Sequence, residues 1–294
     1  MSFNIVVLAK QVPDTRNVGK DAMKEDGTVN RAALPAIYNP EDLNALEMAL
    51  KVKDKIADAK VYIITMGPAR AAEIVRESIY RGADGGYLVS DMKFAGADTL
   101  ATSYTISVAI KKLGKVDLIF GGRQAIDGDT AQVGPQTAEK LSIPQITYAE
   151  EIVAVDEKCI VIRRRLERGF EDVKSPYPCL VTVHDTAEEC RPRNVKRLIK
   201  YKHAKTKTEL TNNQVPSYLQ AQCGDNYPEH LLITEWTAAD IGANPEQLGL
   251  LGSPTKVKQI ESVVLAAKDS VHLTPKDEDI DGLLKELIAG HILG

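Results

Sequence analysis

The residues best suited to chemistry lie in one glycine-rich stretch, Gly121-Gly122-Arg123-Gln124-Ala125-Ile126-Asp127-Gly128-Asp129-Thr130-Ala131-Gln132-Val133-Gly134. Glycine permits positive φ angles and close backbone approach, so such a stretch can aim several N–H groups at one anionic diphosphate. Thr130 and Gln132 add neutral hydrogen-bonding groups. With no Gly-Lys-Ser or Gly-Lys-Thr it is not a Walker A loop, and it lacks the Gly-x-Gly-x-x-Gly dinucleotide spacing. A cluster of turns would explain the glycines alone equally well; their place after a buried apolar run favours a nucleotide. Asp127 and Asp129 suggest a magnesium pair, but no phosphate lysine accompanies them. The expectation is that both acids hold the loop through turn and cap hydrogen bonds.

A second small-residue stretch, Asp91-Met92-Lys93-Phe94-Ala95-Gly96-Ala97-Asp98-Thr99, reads as a loop ending in a helix N-cap at Asp98 or Thr99. His184, His203, His230, His272 and His291 are far apart, and no Gly-x-Ser-x-Gly elbow supplies a nucleophile for a hydrolase triad. Cys159, Cys179, Cys190 and Cys223 are scattered without zinc spacing and read as reduced thiols.

The elements that must position these residues follow from periodicity. Apolar runs at 3–9, 61–66, 86–89 and 116–120 read as strands, and apolar spacing of three and four over 43–57, 69–80 and 98–113 reads as crossover helices. Asn39-Pro40-Glu41-Asp42 supplies an N-cap, a proline at the first helical position and two acids in the first turn. Gly82 can stop the second helix. This alternation predicts an α/β fold, a mostly parallel doubly wound sheet whose ligands bind beyond the C-terminal strand ends. Alternating runs at 152–155, 159–165 and 171–173, then an apolar run at 179–183, predict an antiparallel extension. The basic stretch at 191–207 reads either as a solvated loop or as a docking surface for an acidic partner. Residues 205–229 read as a linker, 235–241 and the turn at 252–254 as part of a tail, and Ile280, Leu283, Leu284, Leu287 and Ile288 as one face of a last helix. The expected division is a nucleotide-binding domain over 1–204 and a C-terminal arm over 205–294 that packs on something else.

The chain has 294 residues, 44% of them hydrophobic and 27% charged, as in soluble globular proteins. A net charge of -4 argues against nucleic acid as a partner. Lys10 interrupts the opening apolar run far short of a membrane span, which predicts a cytoplasmic location.

Together, several segments resemble electron-transferring flavoprotein beta subunits. They are Lys10-Gln11-Val12-Pro13-Asp14-Thr15, Tyr38-Asn39-Pro40-Glu41-Asp42, Gly67-Pro68, the 124–132 segment, and Trp236 to Gly242 with Gly252 to Val257 in the tail. The resemblance runs nearly end to end and implies an adenine nucleotide alpha-hydrolase-like fold. It implies a pocket lined by Ala9, Asn39, Pro40, Glu41, Asp42, Met66 and Gly122 to Val133. In conventional members that pocket holds AMP; in flavin-bifurcating members it holds the ADP half of an FAD that accepts hydride from NADH. Phe94-Ala95-Gly96-Ala97-Asp98-Thr99-Leu100-Ala101-Thr102-Ser103 looks like the loop of the bifurcating group, and together with the Lys10 to Thr15 opening it makes FAD the preferred occupant. The acids at 41 and 42 predict adenine or ribose at the Asn39 corner and the diphosphate on the glycine-rich loop. The implied partners are an alpha subunit with its own FAD, an acyl-CoA or other dehydrogenase, and ferredoxin or flavodoxin. A non-redox adenylate-binding module of the universal-stress type is the alternative from another class.

Overall fold

Runs such as Ile5-Val6-Val7-Leu8 are apolar on both faces, which suits strands covered by helices on each side. The computed structural model describes residues 2–14, 35–211, 227–255 and 272–293. Its strands are β1 (Asn4–Leu8), β2 (Gln11–Pro13), β3 (Ala36–Tyr38), β4 (Lys60–Met66), β5 (Gly85–Val89), β6 (Leu118–Gly122), β7 (Gln145–Val155), β8 (Cys159–Leu166), β9 (Gly169–Pro176), β10 (Cys179–Val183) and β11 (Thr234–Trp236). Its helices are α1 (Pro40–Lys55), α2 (Ala72–Arg81), α3 (Thr99–Leu113), α4 (Val133–Leu141), α5 (Val195–Tyr201), α6 (Lys207–Thr211) and α7 (Asp277–Ala289).

Among the described residues nine strands form one sheet in the order β11-β5-β4-β1-β6-β10-β7-β8-β9. The pairings from β11 to β7 are parallel, and β7–β8 and β8–β9 are antiparallel. Successive side chains of a strand point to opposite faces, so β1 feeds two cores. Ile5 and Val7 pack with α1 residues such as Leu46 and Leu50, while Val6 and Leu8 join Ile106 and Ile110 of α3. The chain builds outward from β1 through β4 to β5, then returns to place β6 on the other side of β1. That reversal makes the C-terminal ends of β1 and β6 the switch point of the sheet, where open α/β sheets form a crevice.

The structure corrects several expectations. The fourth apolar run lies two residues later than expected, as β6 at Leu118–Gly122. The run at 179–183 is no part of the antiparallel extension: β10 lies between β6 and β7, parallel to both and buried along its length. β7, β8 and β9 leave and return to the sheet before β10 is inserted, and only pairing across the chain reveals this. Arginines of the basic stretch are pinned to the body. Arg191 pairs with Glu47 and Asp54, Arg193 with Glu77, and Arg197 donates to the Ile79 and Ala83 carbonyls at the end of α2. This stretch includes a helix, α5, with Val195 and Ile199 exposed.

The expected linker at 205–229 holds α6, and Lys205 bridges to Leu232; residues 212–226 and Cys223 with them lie outside the described residues. Beyond it the chain re-enters the sheet as β11, which the sequence did not announce as a strand. Trp236 stacks on Tyr87 with ring centroids 4.3 Å apart, and Ala238, Ile241 and Leu248 complete the core around Phe94. By contrast α7 leaves Ile280, Leu283, Leu284 and Ile288 exposed. Among the described residues no helix is long and apolar enough to cross a membrane.

Replacing Trp236 by Ala removes the ring that seals β11 against β5. Loss of a large buried aromatic is expected to cost about 3 kcal/mol, read as a lower urea midpoint of the purified chain. An unchanged midpoint would show that the 227–255 return contributes no stability.

Candidate functional site

Helix α1 begins at the switch point, with Asn39 as its N-cap residue and Pro40 in the first turn. The Asn39 side chain does not cap α1 as its residue type predicts. It reaches across to the glycine-rich loop, donating through Nδ2 to the Gln124 carbonyl at 2.9 Å and accepting from the Ile126 amide at 3.2 Å. Glu41 accepts from the Gln124 amide at 3.0 Å and from Arg123 Nη2 at 2.8 Å. Asp42 accepts the Lys10 amide at 2.8 Å through one oxygen and the Gly122 amide at 2.9 Å through the other. One carboxylate thus ties together the ends of β1 and β6. All three side chains are buried. They act on the loop backbone, and their contribution to a ligand is the shape they impose on it.

Gly122 is required by this closeness, because a Cβ there would lie 2.5 Å from Asp42 Oδ1 and 2.8 Å from the Glu41 backbone. Burial pushes the Asp42 carboxyl up to about 7, against the hydrogen bonds that favour its charged form.

The far half of the loop is organised differently. Asp127 pairs with Lys10, Nζ to Oδ1 at 2.7 Å, and Asp129 accepts from Gln124 Nε2 at 2.9 Å. Neither acid is seen in the turn or cap hydrogen bond expected of it; Asp127 is held by Lys10 and Asp129 by Gln124. Asp129 and Ala131 have φ of 48° and 52°. Gln132 follows at φ -104°, ψ -30°, in the right-handed region. Successive residues of opposite hand turn neighbouring N–H groups to one side and form a nest for an anion. Helix α4 starts immediately after it, and no side chain caps it. Gly128, Asp129, Thr130 and Gln132 are exposed. The α3 start lies alongside: Thr99 Oγ1 donates to Gln132 Oε1 at 2.9 Å, and Ser103 donates to Gln136 at 3.2 Å.

The 91–99 stretch is a buttressed loop. Asp98 caps α3 by accepting the Ala101 amide at 3.0 Å, and its other oxygen accepts the Thr255 amide at 3.1 Å. Its own amide donates to Ser253 Oγ at 2.8 Å. Burial opposes the charged form, but these bonds outweigh it and hold the Asp98 carboxyl below its usual range. Phe94 is buried, and the Leu250 amide donates to the Ala95 carbonyl. Sequence reasoning did not connect Ser253 and Thr255 with this loop. Ala9 is buried and donates to the Ile64 carbonyl, and half-buried Met66 ends β4, so both frame the crevice from the β1 and β4 side.

The arrangement offers amides, hydroxyls and carboxamides, the chemistry of nucleotide binding. Among the described residues no three His, Cys, Asp or Glu side chains are grouped to hold a metal ion. A cavity of about 790 Å³ lies elsewhere, between α1 and β7–β8. Its walls carry Lys51, Arg163 and Arg165 beside Glu150, Glu151 and Glu188, which pair with one another in large part.

A family model described as the electron transfer flavoprotein domain matches residues 26–210. The chain is 52% identical over 300 residues to the acryloyl-CoA reductase electron transfer subunit gamma of Anaerotignum propionicum, covering 99% of this chain and 100% of that one. It is 42% identical over 293 residues to the electron transfer flavoprotein subunit beta of Clostridium acetobutylicum, with 99% and 100% coverage. It is also 40% identical over 292 residues to the caffeyl-CoA reductase-Etf complex subunit CarD of Acetobacterium woodii, again at 99% and 100%.

The raised Asp42 carboxyl has a measurable consequence. Folded chain binds this proton more tightly than unfolded chain, so the Asp42 contribution to stability falls as pH rises from about 4 to about 7. Asp42→Asn cannot titrate, and its melting temperature is expected to decline less than that of wild type between about pH 5 and about pH 8. Equal slopes for the two proteins would contradict the assignment.

Proposed function

The chain belongs to the electron transfer flavoprotein family as a beta subunit, and from that premise we propose that its crevice holds the ADP half of an FAD reduced by NADH. Such a flavin, when bound, would supply all the redox chemistry between NADH and the acceptors proposed for the complex, ferredoxin or flavodoxin on one side and, by way of the alpha-subunit FAD, an acyl-CoA or other dehydrogenase on the other. The protein's part is to bind, orient and tune. The observation that carries the reading is the nest at Ala131 and Gln132 running into the uncapped start of α4. Among the described residues the amides of Thr130 to Gly134 take no hydrogen-bond partner, while those of Gly122, Gln124 and Ile126 are taken by Asp42, Glu41 and Asn39, and those of Gly128 and Asp129 by the Ala125 carbonyl.

The pyrophosphate therefore belongs on Thr130 to Gly134, and not on the whole glycine-rich loop. Adenine and ribose belong against Ala9, Met66 and the backbone of the Asn39 corner. Phe94 to Thr99, braced by Ser253 and Thr255, forms the wall nearest the flavin. Two of the similar chains are named as parts of CoA-linked reductase systems, which supports a dehydrogenase as partner. The exposed apolar face of α7 is the surface that packs on the alpha subunit, where burying Ile280, Leu283, Leu284 and Ile288 would drive association.

Nucleotide extraction from the co-expressed heterodimer is expected to yield two FAD per complex, and NADH should bleach the bound flavin. One FAD with one AMP would replace this reading by that of a conventional carrier, and an adenylate without flavin by that of a non-redox module. Replacing Leu283 and Leu284 by Ser is expected to weaken copurification with the alpha subunit without lowering the melting temperature of the isolated chain. Undiminished copurification would mean that α7 is not the contact.

A further inference from the structure

Lys10 closes the mouth of the crevice in a way the binding scheme above does not use. Its backbone is fixed from both sides: its amide donates to Asp42, and its carbonyl accepts the Asn39 amide at 3.0 Å. Its side chain is 48% exposed and crosses to the loop, where Nζ lies 2.7 Å and 2.9 Å from the two oxygens of Asp127. Asp127 lies three residues before Thr130 to Gly134, whose amides take no partner among the described residues. Lys10 thus combines a rigid origin with a long flexible stem, and its ammonium can leave one anion for another within reach.

The charges around the crevice give that exchange its meaning. Glu41, Asp42, Asp98, Asp127 and Asp129 stand against Lys10 and Arg123. Arg123 is committed to buried Glu41. An incoming polyanion meets an acidic surplus until Lys10 turns to it. The pair is also weak enough to be exchanged, because solvent reaches it from the Lys10 side, which is 48% exposed against 16% for Asp127.

Building on the adenylate reading, we propose that Lys10 and Asp127 form a displaceable latch. Asp127 holds the Lys10 ammonium in the ligand-free crevice, and the diphosphate takes it over on binding. Lys10 is then the residue that selects a nucleoside diphosphate over an uncharged nucleoside, and Asp127 is the built-in competitor that sets the affinity.

The test is calorimetric titration of ADP and of adenosine into the heterodimer stripped of its own nucleotide, with melting curves to show that each variant is folded. Asp127→Asn is expected to tighten ADP about three- to fivefold, the release of one partly exposed pair, and to leave adenosine unchanged. Lys10→Met is expected to weaken ADP about tenfold, again without effect on adenosine. In the Lys10→Met background the gain from Asp127→Asn should shrink, because its partner is gone. Asp127→Asn without effect on ADP, or either variant shifting ADP and adenosine by the same factor, would overturn the latch while leaving the adenylate site standing. Wild type that binds neither compound would overturn both.

Discussion

The site depends on one carboxylate. Asp42, in the first turn of α1, receives the amides that end β1 and β6, the two strands between which the sheet reverses direction. Strand-end amides beyond the last ladder bond need partners when buried. Supplying both from one side chain locks the strand ends to the helix that covers them. The requirement for glycine at 122 follows from the closeness of that contact, and burial makes the carboxylate unusually basic.

That constraint divides the glycine-rich loop. In its near half the Gly122, Gln124 and Ile126 amides are held by Asn39 and the acids of α1, and Gly128 and Asp129 close back on the Ala125 carbonyl, while the amides from Thr130 into α4 take no partner among the described residues. The run of consecutive free donors thereby lies in the far half. The acids of α1, which would repel phosphate if exposed, are buried and instead shape the loop. Electrostatic preorganisation of this kind is what a protein can contribute when a cofactor performs the chemistry.

A second support comes from the far end of the chain. Ser253 and Thr255 fasten Asp98, and Leu248 and Leu250 back the 93–96 segment, so the wall of the crevice depends on residues some 150 positions away. β11 provides the anchor by pairing with β5 and stacking Trp236 on Tyr87. The 234–255 part of the tail is therefore a component of the sheet and its core, while α7 leaves an apolar face exposed.

The sequence by itself determined the early strands and crossover helices, the proline and acids that open α1, the cap at Asp98, and the family. All are written in residues close together along the chain: periodicities of two and three to four, and helix ends decided within one turn. Only the tertiary structure decided that β10 is central, that 234–236 is a strand, that Asn39 reaches across instead of capping, and which loop amides remain exposed. An apolar run of five is compatible with several places in a sheet, and a carboxylate beside a helix start is compatible with a cap. The choice is made by partners distant in sequence, such as Gly122 for Asp42 and Tyr87 for Trp236, whose separation leaves no local signal.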